Sequence, residues 1–319
     1  MQVPEELYAA IHETLEKEDE VPSVLTRKFK WIISKGFIKS AFYPHEISEN
    51  FHKDVLGDVV RKINAIPDLP TIECTGAEEL QNCSLICVNH QGPGSERNKS
   101  DENSEPQGEG GLESLLTWAM IPPRSRYVLK SSHVYPPDPT VSNMIQAQAY
   151  FRTDPIPVFR PDEEMETSAY VKAMKVEQER VAEEIVYAIN KERKPVVLHP
   201  EGTRSPTGNI RPFITIFFRK IYEEYVLPHI HSDEEMRIGV IVADTLKALK
   251  NGFSRDVPMY KMHVRLHGMR YNPTELIERT HEEEAKDPSE RNYDAVARFF
   301  ANDMRAVMER KLCEMIQMS

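Results

Sequence analysis

Pro195-Val-Val-Leu-His-Pro-Glu-Gly-Thr-Arg-Ser-Pro-Thr-Gly208 changes character at His199. Val196, Val197 and Leu198 make a short apolar run of the kind that fills a buried strand, and the β-branched valines favour extended backbone. Pro200 and Gly202 then break regular structure, and the turn displays a carboxylate, hydroxyls and an arginine in one place. A buried strand feeding such a turn suits an open α/β sheet, whose ligands sit beyond the carboxyl ends of the strands. The N–H groups of the turn and the Arg204 guanidinium suit a phosphate. A Gly/Pro turn with solvated charges has the same spacing, so spacing alone leaves both readings open.

The arrangement occurs a second time upstream. Ser84-Leu-Ile-Cys-Val88 is apolar and leads into Asn89-His90-Gln91 and a Gly-Pro-Gly turn, which puts His90 at the carboxyl end of a buried strand. On its own, a histidine there is more often a structural group than a base. From Pro70 onward, short apolar runs bounded by turn residues alternate with helical stretches. Strands are expected at Ser84–Val88, Arg126–Lys130, Pro155–Phe159, Pro195–Leu198, Arg237–Val242 and Lys261–His267. Glu163–Glu192 is the best helix, with Val171, Met174, Val181, Ile185 and Ile189 near one stripe, and Asn292–Met315 is the second. The expected fold is therefore α/β, a mixed central sheet flanked by helices. Residues 1–68 form a helical N-terminal region and residues 69–319 the α/β domain. Gly92–Gly111 contains no apolar residue and five of the chain's 13 glycines, so it is read as a mobile polar insertion. There is no internal repeat.

Composition narrows the function. The chain has 319 residues, 40% of them apolar, and a net charge of −11. That charge argues against a duplex nucleic-acid binder, which normally carries a basic face. No apolar run approaches the roughly 18–20 residues that span a bilayer, and the acidic N-terminus lacks the apolar core of a signal peptide. A cytoplasmic protein is expected. Cys74, Cys83, Cys87 and Cys313 fit neither a disulfide scaffold nor a zinc site, and His229 and His231, two apart, make no metal site without further ligands. Residues 27–39 hold five cations and no acid. With Phe29, Trp31 and Phe37, the stretch 27–43 reads either as an interfacial helix making peripheral membrane contact or as a helix packed on the domain with its lysines in water.

Taken together, these segments resemble the glycerophospholipid acyltransferase superfamily, the PlsC-like acyltransferases of glycerol phosphate and lysophospholipids. Pro200-Glu-Gly-Thr-Arg-Ser205 is similar to the family's third motif. Thr75-Gly-Ala-Glu-Glu-Leu80 followed by Val88-Asn-His-Gln91 resembles the approach to the first, Ile156-Pro-Val-Phe-Arg160 the second, and Ile238-Gly-Val-Ile-Val242 the fourth, apolar strand. The resemblance covers residues 70–270 and implies a glycerolphosphate acyltransferase-like fold. It also implies an O-acyltransferase moving a fatty acyl group from acyl-CoA or acyl carrier protein, as co-substrate and without a cofactor or metal, to a hydroxyl of glycerol 3-phosphate or a lysophospholipid. Carried over to this sequence, His90 is the general base, Glu201, Gly202 and Thr203 shape the acceptor pocket, and Arg204 and Arg160 hold its phosphate. Lys130 is a further candidate to face the phosphate. A protein that keeps the pocket but has lost turnover, and binds lipid phosphate or acyl-CoA, is the alternative.

The chain departs from the family pattern in three places. Five residues after the histidine, where the family has its catalytic aspartate, stands Ser95. Glu96, Asp101 and Glu113 could each replace that aspartate. Glu113 is favoured, because Leu112–Ala119 reads like the helix that the family aspartate begins, and ordering a floppy segment around Glu96 or Asp101 would cost entropy. Pro212–Arg219 lacks the family's Lys-x-Gly. His199 replaces the usual aromatic before Pro-Glu-Gly and is read as pocket lining.

Overall fold

Leu85-Ile-Cys-Val88 is buried along its whole length, which is what an unalternating apolar run requires of a strand covered on both faces. In the computed structural model it lies in the middle of a seven-stranded sheet. The structure describes residues 32, 35–36, 38–41, 51–66, 69, 71–91, 111–137, 141–161, 165–202, 205, 209–232, 235–244 and 263–317. The strands are β1 (Thr71–Thr75), β2 (Leu85–Val88), β3 (Arg126–Lys130), β4 (Ile156–Val158), β5 (Val196–Leu198), β6 (Ile238–Asp244) and β7 (His263–Arg270), in the spatial order β1-β7-β6-β2-β5-β3-β4. Neighbours from β6 to β4 pair in parallel. β7 pairs antiparallel with β6 and parallel with β1, so the sheet is mixed and the protein is α/β.

Two helical layers cover it. On one face lie α1 (Phe51–Asn64), α2 (Ala77–Leu80), α3 (Gly111–Met120) and α5 (Val141–Phe151), which follows the short α4 (Ser131–Val134). On the other lie α6 (Thr167–Tyr187), α7 (Thr215–Ile221), α9 (Thr274–Glu284) and α10 (Tyr293–Gln317), with α8 (Leu227–Ser232) beyond α7. Strand side chains alternate between the two cores: Ile86, Val88 and Val197 face the first, Leu85, Cys87, Val196 and Leu198 the second.

All six expected strands are present, and β1 is an addition. The apolar stripe expected along Glu163–Glu192 is buried at Val181 and Ile185 on α6 and at Ile189 just beyond it, but Val171 is 61% exposed. The reason is register. Glu177 accepts the Phe159 N–H at 2.8 Å and Arg180 donates to the Pro157 carbonyl at 2.5 Å, so the helix turns before Glu177 extend past the carboxyl end of β4, beyond the sheet that would cover them.

Within the stretch 27–43, Ile32, Ile38 and Ala41 are buried in the same core as Leu56, Val59 and Ile63 of α1. Lys39 donates to the Asp58 carboxylate at 3.0 Å. These residues take the packed-helix arrangement. Lys28, Phe29, Trp31 and Phe37 lie outside the described residues. The Lys62 ammonium above all, with Lys39 and Arg61, holds the Asp58 carboxyl well below the usual carboxylate range against the opposing effect of burial. A depressed folded-state pKa gives stability that is present above the unfolded value of about 4 and is lost as pH falls. Because all three cations are substantially exposed, Asp58→Asn should cost only about 1 kcal/mol at pH 7. The gap between its denaturation midpoint and that of the parent should begin to narrow as pH falls below about 4; a pH-independent difference would refute the ionic account.

Gly76 links β1 to α2 with φ +74, and a Cβ built there would sit 1.9 Å from the backbone oxygen of Gly268. Backbone cannot swing aside as a side chain can. Gly76→Ala should therefore combine left-handed strain with overpacking, about 2–5 kcal/mol in total, read as a lower urea midpoint at unchanged slope.

Candidate active site

β2 and β5 are parallel neighbours, with Cys87 opposite Leu198, so Asn89-His90 and His199-Pro-Glu201 leave the same edge of the sheet side by side. The two segments are knitted together beyond the strands. The His90 N–H donates to Glu201 Oε1 at 2.6 Å, and the Ser205 N–H donates to the His90 carbonyl at 2.7 Å. Gln91 and Ser205 pair as an isolated parallel bridge. Glu201 Oε2 accepts the Arg211 N–H at 2.7 Å. The carboxylate is 5% exposed, and each of its oxygens holds a backbone donor from a different segment. Asn89 does similar work on the other side of β2: its side chain donates to the Ala243 carbonyl at 2.9 Å and accepts the Ala243 N–H at 2.6 Å, extending the β2–β6 ladder by one step.

His90 is half-buried, and its ring lies 4.2 Å from that of His199 between centroids, tilted by 30°. His199 Nδ1 is 3.1 Å from the Val88 carbonyl. A carbonyl only accepts, so Nδ1 carries the hydrogen, and in the neutral ring Nε2 is the lone-pair nitrogen. Nε2 faces the Tyr127 hydroxyl at 3.5 Å. Tyr127 is fully buried and meets the edge of Trp118 on α3 at 6.5 Å. His199 thus sits ring to ring against His90; its place before Pro-Glu-Gly gave the sequence signal.

The other candidates are spread along the same edge. Arg160, exposed after β4, donates to the Gly202 carbonyl at 3.3 Å and so reaches the turn after β5. Lys130 ends β3 opposite Val158 and is exposed. Gly202 has φ +66, a conformation that side-chain-bearing residues rarely adopt. Glu113 lies in the first turn of α3, in the helix expected for it, but its side chain is outside the described part of the structure, as are residues Glu96, Asp101, Thr203 and Arg204.

Other chemistries find less here. Among the described residues no three His, Cys, Asp or Glu groups converge as a metal site. His229 Nδ1 donates to the Tyr225 carbonyl at 2.6 Å and His231 pairs with Glu284. Burial pushes the Cys87 thiol far up and the Cys74 thiol up to about 12, so neither is a thiolate nucleophile at neutral pH. Among the described residues no helix is long and apolar enough to cross a membrane. No protein-family model matches the chain, and no curated protein matches it.

Proposed function

We propose that the protein is an O-acyltransferase with a glycerolphosphate acyltransferase-like fold. It moves an acyl group from an acyl-CoA or acyl carrier protein thioester to a hydroxyl of glycerol 3-phosphate or a lysophospholipid. One observation carries the reading: segments 111 residues apart in sequence are joined by the hydrogen bond from the His90 N–H to Glu201. That bond brings a titratable ring and a turn resembling a phosphate-binding motif to one sheet edge. Arg160, from the segment resembling the second motif, reaches the same turn.

In this reading His90 removes the acceptor hydroxyl proton as the oxygen attacks the thioester carbonyl. The new ester forms as the carbon–sulfur bond breaks, and the departing thiolate takes the proton back from the imidazolium. Arg160 and Arg204 bind the acceptor phosphate, which suits the planar guanidinium fork. A thiol-release assay on the purified protein tests it, with acyl-CoA or acyl carrier protein and each acceptor in turn. Release that depends on both donor and acceptor is the expected result. Saturable binding of the acceptor without release under any pairing would favour the binding-protein alternative.

A further inference from the structure

The proposed base has a neighbour that the family resemblance does not supply: an imidazole where the pattern has an aromatic carbocycle. We infer that His199 is a positioning residue that holds the His90 ring by ring-to-ring contact, while its own ring is held at both nitrogens. This rests on the acyltransferase reading for its catalytic consequence but not for its geometry.

The geometry has three parts. First, the His199 ring is pinned along its plane: Nδ1–H donates to the Val88 carbonyl at 3.1 Å and Nε2 faces the Tyr127 hydroxyl at 3.5 Å. Second, both anchors are rigid. Val88 is the last residue of the buried central strand, and Tyr127 is a buried residue of β3 braced by Trp118. Third, the ring lies 4.2 Å from that of His90 between centroids at a tilt of 30°, close enough for the two rings to limit each other's movement. The backbone of His90 is fixed separately, through Glu201 and Ser205. The neighbouring His199 ring, in contact with the His90 ring, restricts its tilt. Holding a base in near-attack geometry lowers the barrier without strengthening substrate binding, so the effect belongs in kcat.

Three substitutions separate the ring from its hydrogen bonds. His199→Asn retains a donor near Nδ1 for Val88 and removes the ring. His199→Phe retains the ring and removes both polar contacts. Tyr127→Phe removes only the partner of Nε2. Ring contact predicts a roughly tenfold fall in kcat for His199→Asn at unchanged KM, and a smaller fall for His199→Phe, which keeps the ring but loses its anchors, because modest misplacement of a reacting group costs up to about 10² in rate. The inference is overturned if His199→Asn behaves like the parent, or if His199→Phe is as impaired as His199→Asn. Proton NMR of the His90 ring makes the test independent of turnover. The ring-current shift from His199 should disappear in His199→Asn and persist in His199→Phe. An unchanged His90 spectrum in His199→Asn would refute the ring contact even in an active enzyme. A changed spectrum in a protein that releases no thiol would leave the contact standing and refute the acyltransferase reading alone.

Discussion

His90→Ala should lower acyl transfer by about 10²–10⁴-fold, the usual loss when a general base is removed, and should leave the protein folded. The two halves of that result follow from different atoms of one residue. The backbone of His90 donates to Glu201 and accepts from Ser205, and alanine keeps both bonds. The side chain is half-buried and packs on His199, so its loss opens a small space at the sheet edge rather than a cavity in the core. Thermal unfolding should move by a few degrees at most, while KM for donor and acceptor stays close to the parent, since the ring acts on a proton in the transition state. An activity above a tenth of the parent would remove His90 from the chemistry. A collapse of the thermal midpoint would mean that the ring is part of the scaffold.

The sheet was largely legible because parallel strands buried on both faces read as plain apolar runs. β2, β3, β4 and β5 begin and end within about one residue of the expected positions. The misses are at places where the deciding contact is remote in sequence. β1 is Thr-Ile-Glu-Cys-Thr, with Ile72 as its one fully buried residue, and it exists because it pairs with β7, from Thr71 opposite His263 to Thr75 opposite His267. β7 was expected to stop before Gly268, a residue that usually weakens a strand. It continues to Arg270 because Gly268 is where α2 and the Gly76 turn come closest: a Cβ there would lie 2.7 Å from both the Gly76 oxygen and the Leu80 side chain. β6 runs on to Asp244 because Ala243 is bonded by the side chain of Asn89 and Asp244 by Arg265.

The site was legible in residue identity and less so in role. His90, Glu201 and Gly202 could be named from strand ends and turn chemistry, Arg160 only from the family resemblance, and they lie along one edge. What no local pattern conveys is that the Glu201 oxygens are used by the backbone of His90 and Arg211, or that Asn89 is a ladder group. His199 was read only as pocket lining, because a histidine beside a proline carries no signal of what its ring will face. The stretch 27–43 shows the same limit: a lysine-rich amphipathic pattern describes an interfacial helix and a packed one equally well, and says nothing of the ion pair between Lys39 and Asp58.

Glu201 separates two meanings of a motif residue. A carboxylate that only shaped the acceptor pocket would, when replaced, raise the acceptor KM and leave stability alone. The bonds to the His90 and Arg211 N–H groups give a different expectation. A hydrogen bond to a charged group contributes about 1.5–3 kcal/mol, and stranding a buried donor adds its desolvation cost. Glu201→Ala removes two such acceptors at a site where the native side chain is 5% exposed. It should destabilise the fold by about 3–5 kcal/mol, lowering the thermal midpoint by roughly 5–15 °C. Glu201→Gln keeps one acceptor oxygen and turns an amide N–H toward the second donor, so its cost should fall between those of the parent and Glu201→Ala. Turnover should fall with both, by about 10² or more for the alanine, because the bond that fixes the His90 backbone is lost and the base moves relative to the acceptor. The order parent, Gln, Ala in both midpoint and kcat is the signature of a carboxylate acting through the backbone it holds. An unchanged midpoint with a raised acceptor KM would instead put Glu201 in direct contact with substrate and detach the position of His90 from it.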